Sequence, residues 1–337
     1  MKNPCQQAKA PILAVEGLAV DYRLRGSSLP TIRDVSFEIQ AGEAVALVGE
    51  SGSGKTTTAM AIAGLLPPNA AVSGGEVRYR GDRLPIDDDA AMRPHRWSEI
   101  SVVFQGAMNA LNPVHRIIKQ IAEPCQLQLG MSRDEAIARA RELLELVGIS
   151  AERGRAYPHE LSGGMRQRVM IAMALACSPS IVIGDEPTTA LDVITQAQIL
   201  KLLTALRSQL NLALILITHD LSVVAECCDR VMIMYAGRLV EDGSVADIFA
   251  NPKHPYTKLL IESIPNPEHG KRMVRPIPGD PPTLQHRPSG CAFRSRCPSA
   301  MPVCATEVPN LKRWEQGRVA CYLHPPMKHE EKALANA

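Results

Sequence analysis

An α/β fold built on a mainly parallel sheet is what this sequence predicts, and three observations predict it. Short, wholly apolar runs of strand length alternate with segments of helical periodicity over the first ~250 residues. The earliest of these runs ends in a glycine-rich turn that leads directly into a helix-forming stretch. Of the 337 residues, 45% are hydrophobic and 21% charged but only 4% aromatic, so a sizeable core must be aliphatic. A length of this order suggests about two domains.

The elements justify themselves in chain order. AVALV at 44–48 is a buried parallel strand, apolar on both faces and closed by Gly49. A helix follows over 55–66 and stops at Pro67-Pro68. Ser132 and Glu135 form a capping box, and Ile137, Ala140, Leu143, Leu144 and Val147 repeat at helical spacing before Gly148. Ser162 caps a helix running to about Ala176, and 181–183 and 213–217 are two more apolar strands. After Phe249 nine prolines, from Pro252 to Pro288, interrupt every periodic segment, so a boundary falls near residue 265. The tail beyond it is loop-rich, and Cys291, Cys297, Cys304 and Cys321 crowd into it.

Several function classes fall away. Lys plus Arg number 37 against 35 Asp plus Glu, a net charge of +2 that gives no basic coat for nucleic acid and no acidic tail. The uncharged run 56–75 is broken by Pro67, Pro68 and a Ser-Gly-Gly turn, and the run 169–184 is shorter and cut by Ser178-Pro179-Ser180, so neither supplies the ~20 apolar residues of a membrane span. The N-terminus lacks an apolar signal core, so the expected compartment is the cytoplasm, with any membrane role carried through a partner.

Gly49-Glu50-Ser51-Gly52-Ser53-Gly54-Lys55-Thr56 fits the P-loop pattern G-x-x-x-x-G-K-[ST], here between a strand and a helix as its mechanism requires. Backbone N–H groups and the helix N-terminus surround phosphate, Lys55 reaches the β- and γ-phosphates, and the Thr56 hydroxyl ligates Mg²⁺; Thr57 adjoins them. The strand at 181–183 delivers Asp185 to the same sheet edge to hold Mg²⁺ through water, and places Glu186 to polarise an attacking water. Leu161-Ser162-Gly163-Gly164-Met165-Arg166-Gln167 lies 106 residues beyond Lys55 and opens a helix.

With Tyr22 before the P-loop, Gln105 after VVF, Ala190-Leu191-Asp192 after the two acids and His219 after ALILI, these stations resemble the ATP-binding-cassette (ABC) family over residues 12 to 265. GAMNALNP after Gln105, NPKHPYT at 251–257 and the four-cysteine tail resemble its di- and oligopeptide (and nickel) importer subfamily. Gly184 departs from the alanine usual there, a small change that points away from the acids.

The resemblance implies a RecA-like core with an antiparallel β subdomain and a helical subdomain (about 106–178), followed by a small cysteine-cluster extension at 266–337. It implies that Tyr22 stacks on adenine, that Gln105 senses the γ-phosphate and adds to the Mg²⁺ site, and that His219 contacts the γ-phosphate and helps orient water. Ser162, Gly163 and Gly164 would meet a nucleotide held by an opposite subunit, and Asp192 would act across that interface. The activity implied is ATP hydrolysis energising import of peptides or a related solute (nickel chelate, opine or glutathione) at the cytoplasmic face of the membrane. Partners implied are a second, different ABC ATPase, two permease subunits and an extracytoplasmic solute-binding protein, with no nucleic acid. The alternative is an ABC-type ATPase acting on DNA or in translation, its cysteines a zinc module.

The cysteine spacing, C-x₅-C-x₆-C-x₁₆-C, is not that of paired zinc knuckles, and by itself leaves a [4Fe–4S] cluster, zinc, disulfides or free thiols open. The importer resemblance favours the [4Fe–4S] cluster, with zinc as the alternative.

Overall fold

The computed structural model describes residues 10–24, 26–106, 110–263 and 276–324. Ala107, Met108 and Asn109 of GAMNALNP, and the boundary near residue 265, lie outside them. Twelve strands form two sheets among the described residues. β1 (Leu13–Leu24), β2 (Ser27–Ile39), β4 (Ala70–Tyr79) and the two-residue β5 (Asp82–Arg83) make an antiparallel sheet in the order β2-β1-β4-β5. The larger sheet takes β3 (Ala44–Val48), β6 (Ile100–Val103), β7 (Ile181–Asp185), β8 (Ala213–Thr218), β9 (Arg230–Tyr235), β10 (Arg238–Ser244), β11 (Lys312–Trp314) and β12 (Gly317–Val319) in the order β11-β12-β10-β9-β3-β8-β7-β6.

From β9 to β6 neighbouring strands of the larger sheet are parallel, as their unbroken apolar sequences require. Every residue of β3, β7 and β8 is buried. Register fixes what these strands deliver: Val48 lies opposite Thr218, and Asp185 opposite Ile217. The turns after β3, β7 and β8 therefore open on one carboxyl edge, where ligands bind in sheets of this type.

One face of this sheet, with α1 (Lys55–Ile62), packs on the antiparallel sheet through Leu18, Ile32, Val45, Leu47, Ile183 and Ile215. After the single-turn α2 (Asp89–Met92), a separate core joins α3 (Ile117–Leu129), α4 (Arg133–Leu146), α5 (Gly163–Ala174) and α6 (Val193–Leu210), a helical layer around Ile121, Leu144, Val169 and Leu203. A third core lies beneath α7 (Leu221–Cys227), α8 (Val245–Ala250), α9 (Pro255–Glu262) and the tail, centred on Tyr235, Tyr256 and Phe293.

The capping box at Ser132 forms, and Gly148 beyond α4 takes a left-handed φ of 73°. α1 ends at Ile62, four residues before the expected stop at 66. Gly64 turns the chain at φ 62°, and a Cβ there would come within 2.6 Å of Met92 Cγ, so the turn is set by packing before Pro67 is reached. The tail is mostly single 3₁₀ turns, but β12 pairs with β10 at Glu241–Val319 and Asp242–Arg318 and so extends the main sheet. Asp242, 3% exposed, joins these pieces by accepting from Arg230 of β9 (2.6 Å) and Arg318 of β12 (2.9 Å). Among the described residues no helix is long and apolar enough to cross a membrane.

Candidate functional site

Gly54, at φ 106°, closes the loop after β3 and precedes α1. A side chain would strain there, and a Cβ would sit 2.5 Å from Ile32 Cδ1. Lys55 is buried and spans the loop, its Nζ donating to Gly49 O at 2.7 Å and Glu50 O at 3.0 Å. Burial lowers its pKa, while the charges of Glu186, Asp185 and Glu50 pull it back up. The loop is pinned from below, since Gly237 in the β9–β10 turn donates to Ser53 O at 2.8 Å.

The cleft over this loop is lined by Ser51, Gly52, Gly54, Lys55, Thr56 and Thr57, by Tyr22, Leu24, Leu29 and Thr31 of the antiparallel sheet, and by Gln105, Glu186 and His219. The sequence-selected residues Tyr22, Gln105, Glu186 and His219 thus meet the P-loop at one opening. Thr56 Oγ1 donates to Asp185 Oδ1 at 3.1 Å. Burial raises the Asp185 pKa and the Thr56 hydrogen bond opposes this.

Glu186 is held on three sides. Gln105 Nε2 and Thr189 Oγ1 donate to Oε2 at 2.8 and 2.9 Å, and His219 Nδ1 lies 3.0 Å from Oε1. Burial would raise its pKa, but the hydrogen bonds from His219 and Thr189 with the charges of His219 and Lys55 outweigh it, and the carboxyl is held low. Its backbone is left-handed (φ 45°), a strained state for a side-chain-bearing residue, and is anchored by Glu186 N donating to Ile217 O at 2.9 Å. The Gln105 amide is engaged by Glu186, not by Thr56 or Asp185.

Ser162, Gly163 and Gly164 do not line this cleft. Ser162 caps α5, accepting from Met165 N at 3.3 Å. A Cβ on Gly164 would meet Thr195 Cγ2 at 2.5 Å, so the helix start packs against α6. Asp192 caps α6 through Thr195 N and Oγ1, at 2.9 and 2.7 Å. Beside it Val193 and Ile194 are 82% and 73% exposed, an apolar pair facing outward.

Cys291, Cys297, Cys304 and Cys321 line one apolar cavity with His254, Phe293, Met301 and Leu323. Burial raises the pKa of Cys291, Cys297 and Cys321, the last to about 11, with the neighbouring thiols adding to it. Among the described residues no three His, Cys, Asp or Glu side chains are gathered closely enough to hold a single metal ion.

Residue reading alone gave no role to Thr189, Tyr256 or Arg296. Thr189 carries a signal, a hydroxyl three residues beyond Glu186. Tyr256 and Arg296 reach Glu50 from more than 200 residues away, and no spacing announces that.

Residues 32–189 match the family described as ABC transporter, and residues 240–304 match that described as oligopeptide/dipeptide transporter, C-terminal region. The chain is 47% identical to a probable peptide ABC transporter ATP-binding protein, y4tR, of Sinorhizobium fredii, over 92% of this chain and 93% of that one. It is 44% identical to the oligopeptide transport ATP-binding protein OppD of Salmonella typhimurium, covering 96% and 97%. It is 45% identical to the dipeptide transport ATP-binding protein DppD of Bacillus subtilis, covering 93% and 94%. Among solved structures, the dimeric ATP-binding cassette MJ0796 bound to ADP and Pi superposes with a TM-score of 0.62 at 28% identity, over 69% of this chain and 98% of that one.

Proposed function

The chain belongs to the ABC transporter family, among its peptide-importer ATP-binding subunits, and from that premise we propose how its residues hydrolyse ATP and what they drive. It is an ATPase of peptide import; the DNA or translation reading is not favoured by these relatives.

One observation carries the mechanism: a low-pKa carboxylate, Glu186, fixed by three side chains at the mouth of the P-loop cleft. The P-loop amides and Lys55 bind the β- and γ-phosphates of ATP, and Tyr22 offers its ring to adenine. Thr56 and Asp185 are a suitable donor set for Mg²⁺, a hydroxyl and a buried carboxylate side by side, with Gln105 reaching the metal only once it leaves Glu186. Held there with ATP, the ion would neutralise phosphate charge. Glu186, ionised at neutral pH, accepts a hydrogen bond from the water aimed at the γ-phosphorus, and His219 contacts the γ-phosphate. ADP and phosphate are the products.

Ser162, Gly163 and Gly164 serve a second subunit's nucleotide, a role supported by their position outside this chain's own cleft and by the exposed Val193–Ile194 pair beside Asp192. Peripheral attachment to two permeases, beside a different ATPase and with an extracytoplasmic binding protein delivering peptide, is the assembly proposed here; the relatives' names support it as far as an ATP-binding subunit of peptide transport. Isolation of the intact transporter with two copies of this chain and no second ATPase would overturn the heterodimer.

The four tail cysteines carry a [4Fe–4S] cluster. The reading is supported by the four thiols lining one apolar cavity and by the resemblance to the peptide importers. Anaerobically purified protein is expected to be brown with about four irons per chain; colourless protein with one zinc would decide against it.

The ATPase reading is tested by Glu186→Gln and Lys55→Ala in the assembled transporter. The first should bind ATP and stall, and the second should fail to bind it productively. Hydrolysis by Glu186→Gln at the wild-type rate would remove Glu186 from the role given it.

A further inference from the structure

We propose that Arg296, a residue of the cysteine-bearing tail, is a positioning residue of the ATP site: it neutralises and holds Glu50, the second residue of the phosphate-binding loop. The inference rests on the ATPase reading above.

A carboxylate inside a phosphate-binding loop is a liability, because it repels the ligand the loop is built to hold. Glu50 also acts on the Lys55 ammonium, which phosphate must engage. Arg296 answers both problems. Its Nη1 donates to Glu50 Oε2 at 2.6 Å and its Nη2 to Oε1 at 2.9 Å, the two-point pairing that a guanidinium makes with a carboxylate.

The guanidinium has no freedom to be elsewhere. Its side chain is 4% exposed, Nε donates to Pro278 O at 2.9 Å, and Nη1 also donates to the Tyr235 hydroxyl at 3.2 Å. Phe293 and Tyr235 flank it, each ring centroid 5.9 Å from Cζ. The same aromatic cluster holds Glu50 by its backbone, whose N–H donates to the Tyr256 hydroxyl at 2.9 Å. Tyr256 and Phe293 are 5.3 Å apart between centroids. Glu50 is therefore gripped at the main chain by α9 and at the carboxylate by the tail. Arg296 immediately precedes Cys297, so the segment that lines the thiol cavity also sets the charge of the P-loop.

The test compares Arg296→Gln, Arg296→Lys and the double variant Glu50→Gln/Arg296→Gln in the full-length chain, by titration with a fluorescent ATP analogue and Mg²⁺. Arg296→Gln leaves Glu50 as an unpaired anion and should weaken binding about tenfold. In the assembled transporter KM for ATP should rise by a similar factor while kcat changes little. The double variant removes both charges and should restore most of the affinity, which a merely structural arginine would not allow. Wild-type affinity in Arg296→Gln, or a loss the double variant fails to repair, overturns the proposal. Where Arg296→Gln disturbs folding, seen in its melting temperature, Arg296→Lys decides: affinity near wild type supports the charge role, and a tenfold loss in a folded protein overturns it. A transporter whose wild type hydrolyses no ATP would instead sink the ATPase reading, which a defect confined to the Arg296 variants leaves intact.

Discussion

The nucleotide cleft and the thiol cavity each draw together residues distant in sequence, but by opposite means. The cleft hangs its groups on the ends of β3, β7 and β8, three fully buried strands whose register alone aligns the P-loop, Asp185 and His219. The thiol cavity takes its groups from 3₁₀ turns and loops, tied to the body by β12 and by Arg296. A site on sheet ends is preorganised before any ligand arrives. One built on loops leans on a few polar ties and gains most from whatever group it is proposed to bind.

The largest test of this contrast is at the cleft. Glu186→Gln should lower hydrolysis about a thousandfold while leaving the melting temperature nearly unchanged, because the scaffold does not depend on that charge. Concurrent unfolding, followed by circular dichroism, would show that the cleft is less independent than its strands suggest.

Next comes Asp242, the buried tie between sheet and tail. Asp242→Asn leaves Arg230 and Arg318 without their carboxylate and should cost about 3 kcal/mol in chemical denaturation. Burial raises the Asp242 pKa, but Arg230 and Arg318 outweigh it and the net shift is downward. A depressed carboxylate stabilises the fold above its unfolded pKa, and that stability is lost as pH falls through the folded value. The wild type should therefore lose stability more steeply than Asp242→Asn below the ordinary aspartate range.

A gentler probe is Cys321→Ser. On the proposed [4Fe–4S] reading it should reduce bound iron and open residues 276–324 to protease, with the main thermal transition moved by only a few degrees. A global collapse would contradict the division drawn here. The smallest effect belongs to Ser132→Ala in the helical layer, about 1 kcal/mol of stability from the lost capping box and no change in KM for ATP.

Legibility followed the same division. The strand-end residues were readable because a buried parallel strand must be apolar throughout and its terminus must turn, so Gly49–Thr56, Asp185 and Glu186 stand out against their surroundings. The antiparallel β1, β2 and β4 were expected only through family resemblance, since β1 pairs with bulges at Val15/Leu18 and Val20/Asp21 that blur its alternation. The sequence does not announce α3, which carries Pro124 in its interior, or α6, which lacks a cap glycine and ends at Asn211 in a left-handed turn (φ 51°). The hold of Arg296 on Glu50 spans 246 residues and depends on tertiary packing alone.

The pairing of β12 with β10 also bears on how the protein behaves in bulk. β10 has seven residues, and β9 satisfies only one of its sides. Without the tail hairpin its other side would present open N–H and C=O groups, a template on which a second molecule could add a strand. The hairpin pairs with the middle of that edge at Glu241 and Asp242 and sets β11, three residues with exposed Lys312 and Arg313, at the sheet border there. Short, cationic borders discourage intermolecular pairing. Removal of the residues after 311 should therefore turn a dispersed preparation into one that self-associates, visible by light scattering before any loss of secondary structure.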